Sequence, residues 1–193
     1  MPSERRLARL EHVLKHRQPD LTVVMENIHD PHNVSAMLRS CDAAGVWEAQ
    51  LLYNRDEFPK IGKKSSASAA KWVGRRKFKT VGECYGTLRT EGFRIYATRL
   101  DPNARSLYEF DLTQKVALVF GNEHRGVSDE AAEQADALLQ IPMFGMIQSL
   151  NVSVACAITL YEALRQRLLQ SGYGSGKFSR DEFDELLEAW KSK

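Results

Sequence analysis

Three stretches of this chain carry residues whose types and spacing could do chemistry. Arg39 falls on the polar side of a predicted helix, six residues after Asn33. A guanidinium keeps its charge and offers a planar fork of donors, so in a crevice it would clamp a phosphate or a developing oxyanion, with Asn33 orienting the same ligand. On a plain surface helix it would pair with Ser35 or Asp42 instead. The second stretch, GNEHRGVS (Gly121–Ser128), follows a strand and precedes a helix. It nearly matches the phosphate-binding G-x4-G-K-[ST] loop, but Val127 stands where the lysine is needed, which argues against triphosphate hydrolysis. What remains is a glycine turn at the carboxyl end of a strand, where α/β proteins place ligands, with Glu123 and Arg125 pointing into the crevice.

The third stretch is IPMFGMIQSLNVSVACAI, from Ile141 to Ile158. It begins as a strand and ends as a helix. Pro142 removes a ladder donor and Gly145 permits a tight turn. Gln148-Ser149-Leu150-Asn151 then runs into a helix N-terminus with unpaired backbone N–H groups. Such a loop can present backbone donors and acceptors to an adenine edge, with Ile141, Met143 and Leu150 as apolar walls. Ser149 and Asn151 either cap the helix or reach a substrate. His29, His32 and Glu26 surround Pro31, but three ligands without a further His or Cys at convincing spacing argue for turn chemistry and no metal. There is no G-x-G-x-x-G fingerprint and no Ser-His-Asp spacing.

The elements that must position these residues read clearly. An apolar stripe of Leu7, Leu10, Val13 and Leu14 predicts a helix from Glu4 to about His16. Strands are expected at Leu21–Asn27, Glu48–Tyr53, Trp72–Phe78, Arg94–Leu100, Val116–Phe120 and Ala137–Met143. Helices are expected from Asn33 (as N-cap) to Gly45, over Val81–Thr90, after Ser128, and from about Asn151 to Leu169. SGYGSG reads as a hinge. Ser179 and Glu182 predict a capping box for a tail helix whose Phe183, Leu186, Leu187 and Trp190 share one face. Strands alternating with helices predict an α/β core with a mostly parallel sheet.

Bulk properties narrow the class. The 193 residues are 43% hydrophobic and 27% charged, ordinary for a globular domain. No apolar run approaches the roughly 20 residues of a membrane helix, and the charged N-terminus lacks a signal-peptide core. Three cysteines without CxxC spacing suggest a reduced, cytoplasmic protein. Net charge is only +2, yet Phe58–Gly82 holds eight basic residues and no acid, and Arg5, Arg6 and Arg9 cluster near the start. Such a patch is a footprint for polyanions, or else a solvated loop.

Read together and in order, NVSAMLRSCDAAG, FGNEHRG and IPMFGMIQSLNVSVA resemble the SpoU/TrmH branch of the SPOUT methyltransferases, over nearly the whole chain from about Leu10 to Leu169. The resemblance implies an N-terminal basic helix (1–18), a SPOUT domain (19–170) with a deep trefoil knot at about 116–160, and a C-terminal helical extension (171–193). It implies a homodimer with active sites at the interface, and a tRNA substrate. The expected reaction is S-adenosylmethionine-dependent 2′-O-methylation of guanosine 18 in the D-loop.

By the same resemblance Thr98, Gly121, Ile141, Met143 and Leu150 would hold the cofactor. Arg39, Asn33, Glu123, Ser149 and Asn151 would be the catalytic set. The family gives 2′-oxygen deprotonation to the residue matching Arg39; because guanidinium scarcely loses its proton, alkoxide stabilisation is the more physical role. Arg5, Arg6, Arg9, Lys63, Lys64, Lys71, Arg165 and Arg167 would track the RNA backbone. The segment KIGKKSSASAAKWV is richer in lysine than the family pattern. Two alternatives stay open: a ribosomal-RNA 2′-O-methyltransferase, and a non-catalytic RNA-binding module of this fold.

Overall fold

The computed structural model describes residues 3–59, 69–170, 172–174 and 176–193. In chain order the elements are α1 (Glu4–Lys15), β1 (Leu21–Glu26), α2 (Pro31–Ala43), β2 (Glu48–Leu52), α3 (Ala69–Trp72), β3 (Gly74–Phe78) and α4 (Val81–Thr90). They continue with β4 (Arg94–Thr98), β5 (Arg105–Ser106), a 3-10 turn (Leu107–Glu109), β6 (Val116–Phe120), α5 (Asp129–Glu133), β7 (Ala137–Gln140), α6 (Val152–Leu169) and α7 (Arg180–Lys191). Seven strands form one sheet in the order β3-β2-β1-β6-β4-β7-β5. Every pairing is parallel. The carboxyl ends of β1, β6, β4 and β7 therefore lie side by side, and the loops that leave them share one edge.

Both faces of the sheet are covered, which is why β1 and β6 are buried along their whole length. Val23, Met25, Leu118 and Phe120 pack under α2 and α6, against Met37, Leu38, Cys41, Cys156 and Leu160. The alternate residues Val24, Ala117 and Val119 face α4 and α5, against Tyr85, Leu88 and Ala131. A smaller cluster joins the first and last helices: Leu10 and Leu14 of α1 meet Leu187 and Trp190 of α7, with Trp47 and Trp72 beside them. Both helix stripes are thus used as the sequence suggests, and Ser179 with Glu182 forms the expected capping box.

Several boundaries differ from the sequence reading. Helix α2 is capped by Asp30, whose side chain accepts the His32 N–H at 2.8 Å, and Pro31 occupies its first turn. Asn33 is inside the helix and is not its cap. Proline suits that first position because its missing N–H would be unpaired there anyway. Strand β7 stops at Gln140 and β4 at Thr98, so Ile141–Met143 and Arg99–Leu100 belong to the loops. Of the residues assigned to the third strand, Trp72 instead ends the short α3, and Val73 links it to β3. Gly45 ends α2 as expected: its φ is +78°, and a Cβ there would stand 2.5 Å from the His16 carbonyl oxygen. Part of the SGYGSG hinge, Lys63 and Lys64 fall outside the described residues.

Candidate functional site

A cleft of about 590 Å³ opens at the carboxyl edge of the sheet, within the range of roughly 300–1,000 Å³ usual for ligand sites. All five residues expected to hold a cofactor line it: Thr98, Gly121, Ile141, Met143 and Leu150. So do Glu123, Ser149 and Asn151. Thr98 is fixed by donating its hydroxyl to the Val119 carbonyl at 2.8 Å. Gly121 cannot be another residue without rebuilding the turn, because a Cβ there would lie 2.1 Å from the Gly126 carbonyl. Gly126 itself sits at φ +69° and donates its N–H to the Asn122 carbonyl at 2.8 Å. The turn thus folds flat against itself and leaves its outer edge to the cleft.

Glu123 organises this edge. Its Oε2 accepts the His29 N–H at 2.9 Å, and its Oε1 accepts the Asp30 N–H at 3.0 Å and the Asn33 amide at 2.9 Å. Burial works to raise the Glu123 carboxyl, but the Asn33 amide and the two backbone donors outweigh it and hold it below the ordinary value. The group is therefore a committed carboxylate whose oxygens are already engaged, and a poor proton acceptor. Asn33 passes the connection on: its Oδ1 accepts from the Asn151 amide at 3.1 Å. Asn151 in turn caps α6, its Oδ1 accepting the Ser153 N–H at 2.8 Å and the Ser153 hydroxyl at 2.6 Å. One chain of hydrogen bonds thus ties the loop after β6, the first turn of α2 and the start of α6 around the cleft.

The neighbouring loop after β1 is held as firmly. Asn27 is the single non-glycine residue of positive φ (49°) among the described residues. Its Oδ1 accepts the N–H groups of Asn54, Arg55 and Asp56 at 3.1–3.2 Å. Asn122 reaches across to donate to the Asn27 carbonyl at 2.8 Å. Tyr53 donates its hydroxyl to the Ile28 carbonyl at 2.9 Å. Burial, then the charges of Glu123 and Asp56, push that phenol up, so it stays a neutral donor.

Arg39 is not brought to the cleft within this chain. It is exposed on α2 and absent from the cleft wall. Six residues past Asn33, it lies about 9 Å further along the helix axis and well around the cylinder. Neither does it pair with Asp42, whose carboxylate is taken by the buried Arg17 at 2.5 Å. Ser149 is exposed at the rim.

Of the basic residues, Arg5, Arg6, Arg9 and Lys71 are exposed. Arg165 is exposed but bound to Glu162 at 2.8 Å. Arg167 must be corrected. It is 1% exposed, and its guanidinium donates to Asp20, to Gln18 and to the carbonyls of Leu112 and Gln114. It locks α6 to the base of the sheet and has no donor left for RNA. The signal was available: Cys156, Leu160, Ala163 and Arg167 recur on one helical face, the one that is buried. Arg99 and Asn122 line the cleft but were not named as site residues; each directly follows one that was, Thr98 and Gly121.

The profile described as the SpoU rRNA methylase family matches residues 20–161, most of the chain and all of the cleft. The chain belongs to the SpoU methylase family. It is 45% identical over 191 residues to a tRNA (guanosine(18)-2′-O)-methyltransferase of Thermus thermophilus, covering 99% of this chain and 98% of that one. Among solved structures, the A. aeolicus TrmH/SpoU tRNA modifying enzyme superposes with a TM-score of 0.90 at 41% identity, covering 97% of this chain and 95% of that chain. The SpoU methyltransferase AviRb from Streptomyces viridochromogenes, solved in complex with the cofactor AdoMet, superposes with a TM-score of 0.70 at 27% identity over 81% of this chain and 64% of that one. As a SpoU methylase, the chain lines its cleft with the second and third sequence blocks and the end of β4, and the first block is tied to that edge through Asn33.

Proposed function

We propose that this protein transfers a methyl group from S-adenosylmethionine to the ribose 2′-oxygen of guanosine 18 in the D-loop of tRNA. The observation that carries the reading is the end-to-end likeness to the Thermus enzyme, 99% of one chain against 98% of the other. A ribosomal-RNA methyltransferase or a non-catalytic module has no comparable support. No helix among the described residues is long and apolar enough to cross a membrane, which accords with a cytoplasmic tRNA enzyme.

The cleft residues fit the donor. Ile141, Met143 and Leu150 offer an apolar slot, and the flat Gly121 turn allows close backbone approach. When bound, S-adenosylmethionine supplies an electrophilic methyl; all else falls to this chain. Glu123, Asn33 and Asn151 hold the slot open and fixed. Ser149 and Asn151 orient the sugar. Arg39 stabilises the oxygen as its proton leaves and holds a flanking phosphate. In this reading the trefoil knot lies at about 116–160, in the SPOUT domain of residues 19–170, and α1 and α7 are additions to it. The protein is a homodimer, and Arg39 of one protomer serves the cleft of its partner. The exposed apolar residues Val154, Tyr161 and Leu168, spaced by seven along α6, support a paired helix there. Exposed Arg5, Arg6, Arg9, Lys71 and Arg165, with Lys63 and Lys64, track the RNA backbone.

The test is methyl transfer from labelled donor to whole tRNA, with the product nucleoside mapped. The expected product is 2′-O-methylguanosine at position 18. Label on a base, at another position, or in ribosomal RNA alone would overturn the reading.

A further inference from the structure

We propose that Arg75 and Lys77 of the edge strand β3 form a docking surface for the phosphate backbone of the tRNA, away from the methylated nucleotide; the proposal rests on the RNA-methylation reading above. β3 closes one end of the sheet and pairs with β2 alone. Its alternate residues have different fates. Arg76 turns to the α4 side, where its guanidinium is bound to Glu91 at 2.5 Å and Glu48 at 3.2 Å and donates to Gln50 at 3.0 Å. Its charge is neutralised within the fold. Arg75 and Lys77 belong to the opposite side of the strand, and both are exposed. Their register partners Ala49 and Leu51 lie in the core cluster under α2 and α6, as does Val73. Neither basic residue pairs with a carboxylate among the described residues, Glu57 included, and Phe58–Gly82 holds no acid. The Lys77 ammonium stands 5.7 Å from the centre of the Phe58 ring, which packs on the same core. A cation over an aromatic face is oriented without being neutralised. Exposed Lys71 and Lys79 lie at the two ends of the strip.

Register places this strip relative to the cleft. Lys77 is level with Leu51, Leu51 with Met25, and Met25 with Phe120. Phe120 lines the cleft, and all four positions share one face of the sheet. Lys77 therefore stands at the height of the cleft, three strand spacings away, or about 14 Å. A few nucleotides of RNA backbone span that distance. On the same face α2, with its exposed Arg39, packs against both α6 and α3 and so lies between. Residues two apart on a strand are about 6.7 Å apart, close to the step between neighbouring phosphates of a nucleic-acid strand. Unneutralised charges of one sign at that spacing fit a polyanion. Edge strands also carry charge to discourage pairing with another sheet. That role is served by either sign, which gives the test its contrast.

The salt dependence of whole-tRNA binding by the full-length protein tests this. Arg75→Ala with Lys77→Ala should lower the slope of log Kd against log salt by about two units. Across a fourfold rise in salt the double variant should then lose roughly fifteenfold less affinity than the wild type. Arg75→Glu with Lys77→Glu keeps the edge charged but should weaken tRNA binding further, with the affinity for S-adenosylmethionine unchanged in calorimetry. Arg94→Ala with Lys115→Ala removes the same charge from exposed positions at the amino edge of the sheet and should keep the wild-type slope. An unchanged slope in the first pair overturns the proposal. So does a charge-reversed protein that binds tRNA as the wild type does, the result that a mere edge guard or a surface for an acidic protein would give. An equal fall in the Arg94 and Lys115 pair overturns it too, since net charge alone would then account for the effect. The slope is read on binding and judges only this surface; the reading of the enzyme fails separately, if the wild type does not methylate tRNA.

Discussion

Asn33 and Glu123, 90 residues apart in sequence, share a 2.9 Å hydrogen bond that joins the first turn of α2 to the loop after β6. The bond makes the two loops one wall. It also explains why Glu123, partly buried and next to a helix N-terminus, stays ionised.

Glu123→Ala should leave the His29 and Asp30 N–H groups without their acceptor. We expect a loss of roughly 1–3 kcal/mol of stability, and more for donor affinity than for the rest of the fold. Chemical denaturation and calorimetry with S-adenosylmethionine check both numbers. Unchanged affinity would show that the network does not shape the cleft.

The same carboxylate predicts a pH dependence. Its value in the fold lies below the ordinary 4.5, so its contribution is complete above about pH 4.5 and is lost as pH falls through the lower folded value. Asp20 behaves alike: burial would raise it, but Lys177 and Arg167 outweigh burial and lower it. Stability should therefore drop on acidification below about pH 4.5, and Glu123→Gln should flatten that slope. An equal slope in the variant would contradict the assignment.

Arg167→Ala should destabilise the fold by about 3–5 kcal/mol, because it leaves Asp20 with Lys177 alone and strands Gln18 and the carbonyls of Leu112 and Gln114. Arg165→Ala, exposed beside Glu162, should leave the melting temperature nearly unchanged and instead lower the salt dependence of tRNA binding by about one unit of slope. Melting curves and salt titrations separate the two. Equal melting temperatures would refute the division of labour between these neighbours.

Gly121→Ala forces a Cβ to within 2.1 Å of the Gly126 carbonyl. The turn must open into the cleft, and donor binding should fall by at least tenfold, or about 1.4 kcal/mol. A variant that folds and binds donor normally would mean that this turn is not the donor's cradle.

Arg39→Ala should abolish turnover with donor affinity nearly intact. If Arg39 serves the partner's cleft, mixing that variant with Gly121→Ala should restore activity in the mixed dimer, which has one intact site. No recovery on mixing, with exchange of protomers confirmed, would place Arg39 in its own chain's site or outside the chemistry.

Much of this was legible in the sequence, and the reasons differ by residue. The limits of α4 and β6 follow from local signals: Thr80 caps one and five consecutive apolar residues make the other. The cleft walls Ile141, Met143 and Leu150 could be named because Pro142 and Gly145 mark a loop at a strand end. Asp30 was overlooked as the cap because Pro31 read as a breaker, though it is the first residue of the helix. The two residues of β5 are too few to show any period. Glu123 could be singled out as a crevice residue, but its partners His29 and Asp30 could not, since they meet only when β1 and β6 pair. The buried Oε1 of Glu26, without a hydrogen-bond partner among the described residues, is of the same kind: the residue type was visible, and its missing partner was a matter of three dimensions.

The pairing of β1 with β6 also sets a clock. Asn122 bonds to Asn27 across 95 residues, and the central strand β1 finds its partner only after that length of chain exists. At about 5–20 residues per second, the ribosome takes roughly 5–20 s to deliver it. For that interval LTVVME is an apolar, half-partnered strand in a growing polypeptide, and chaperone capture during translation should concentrate there.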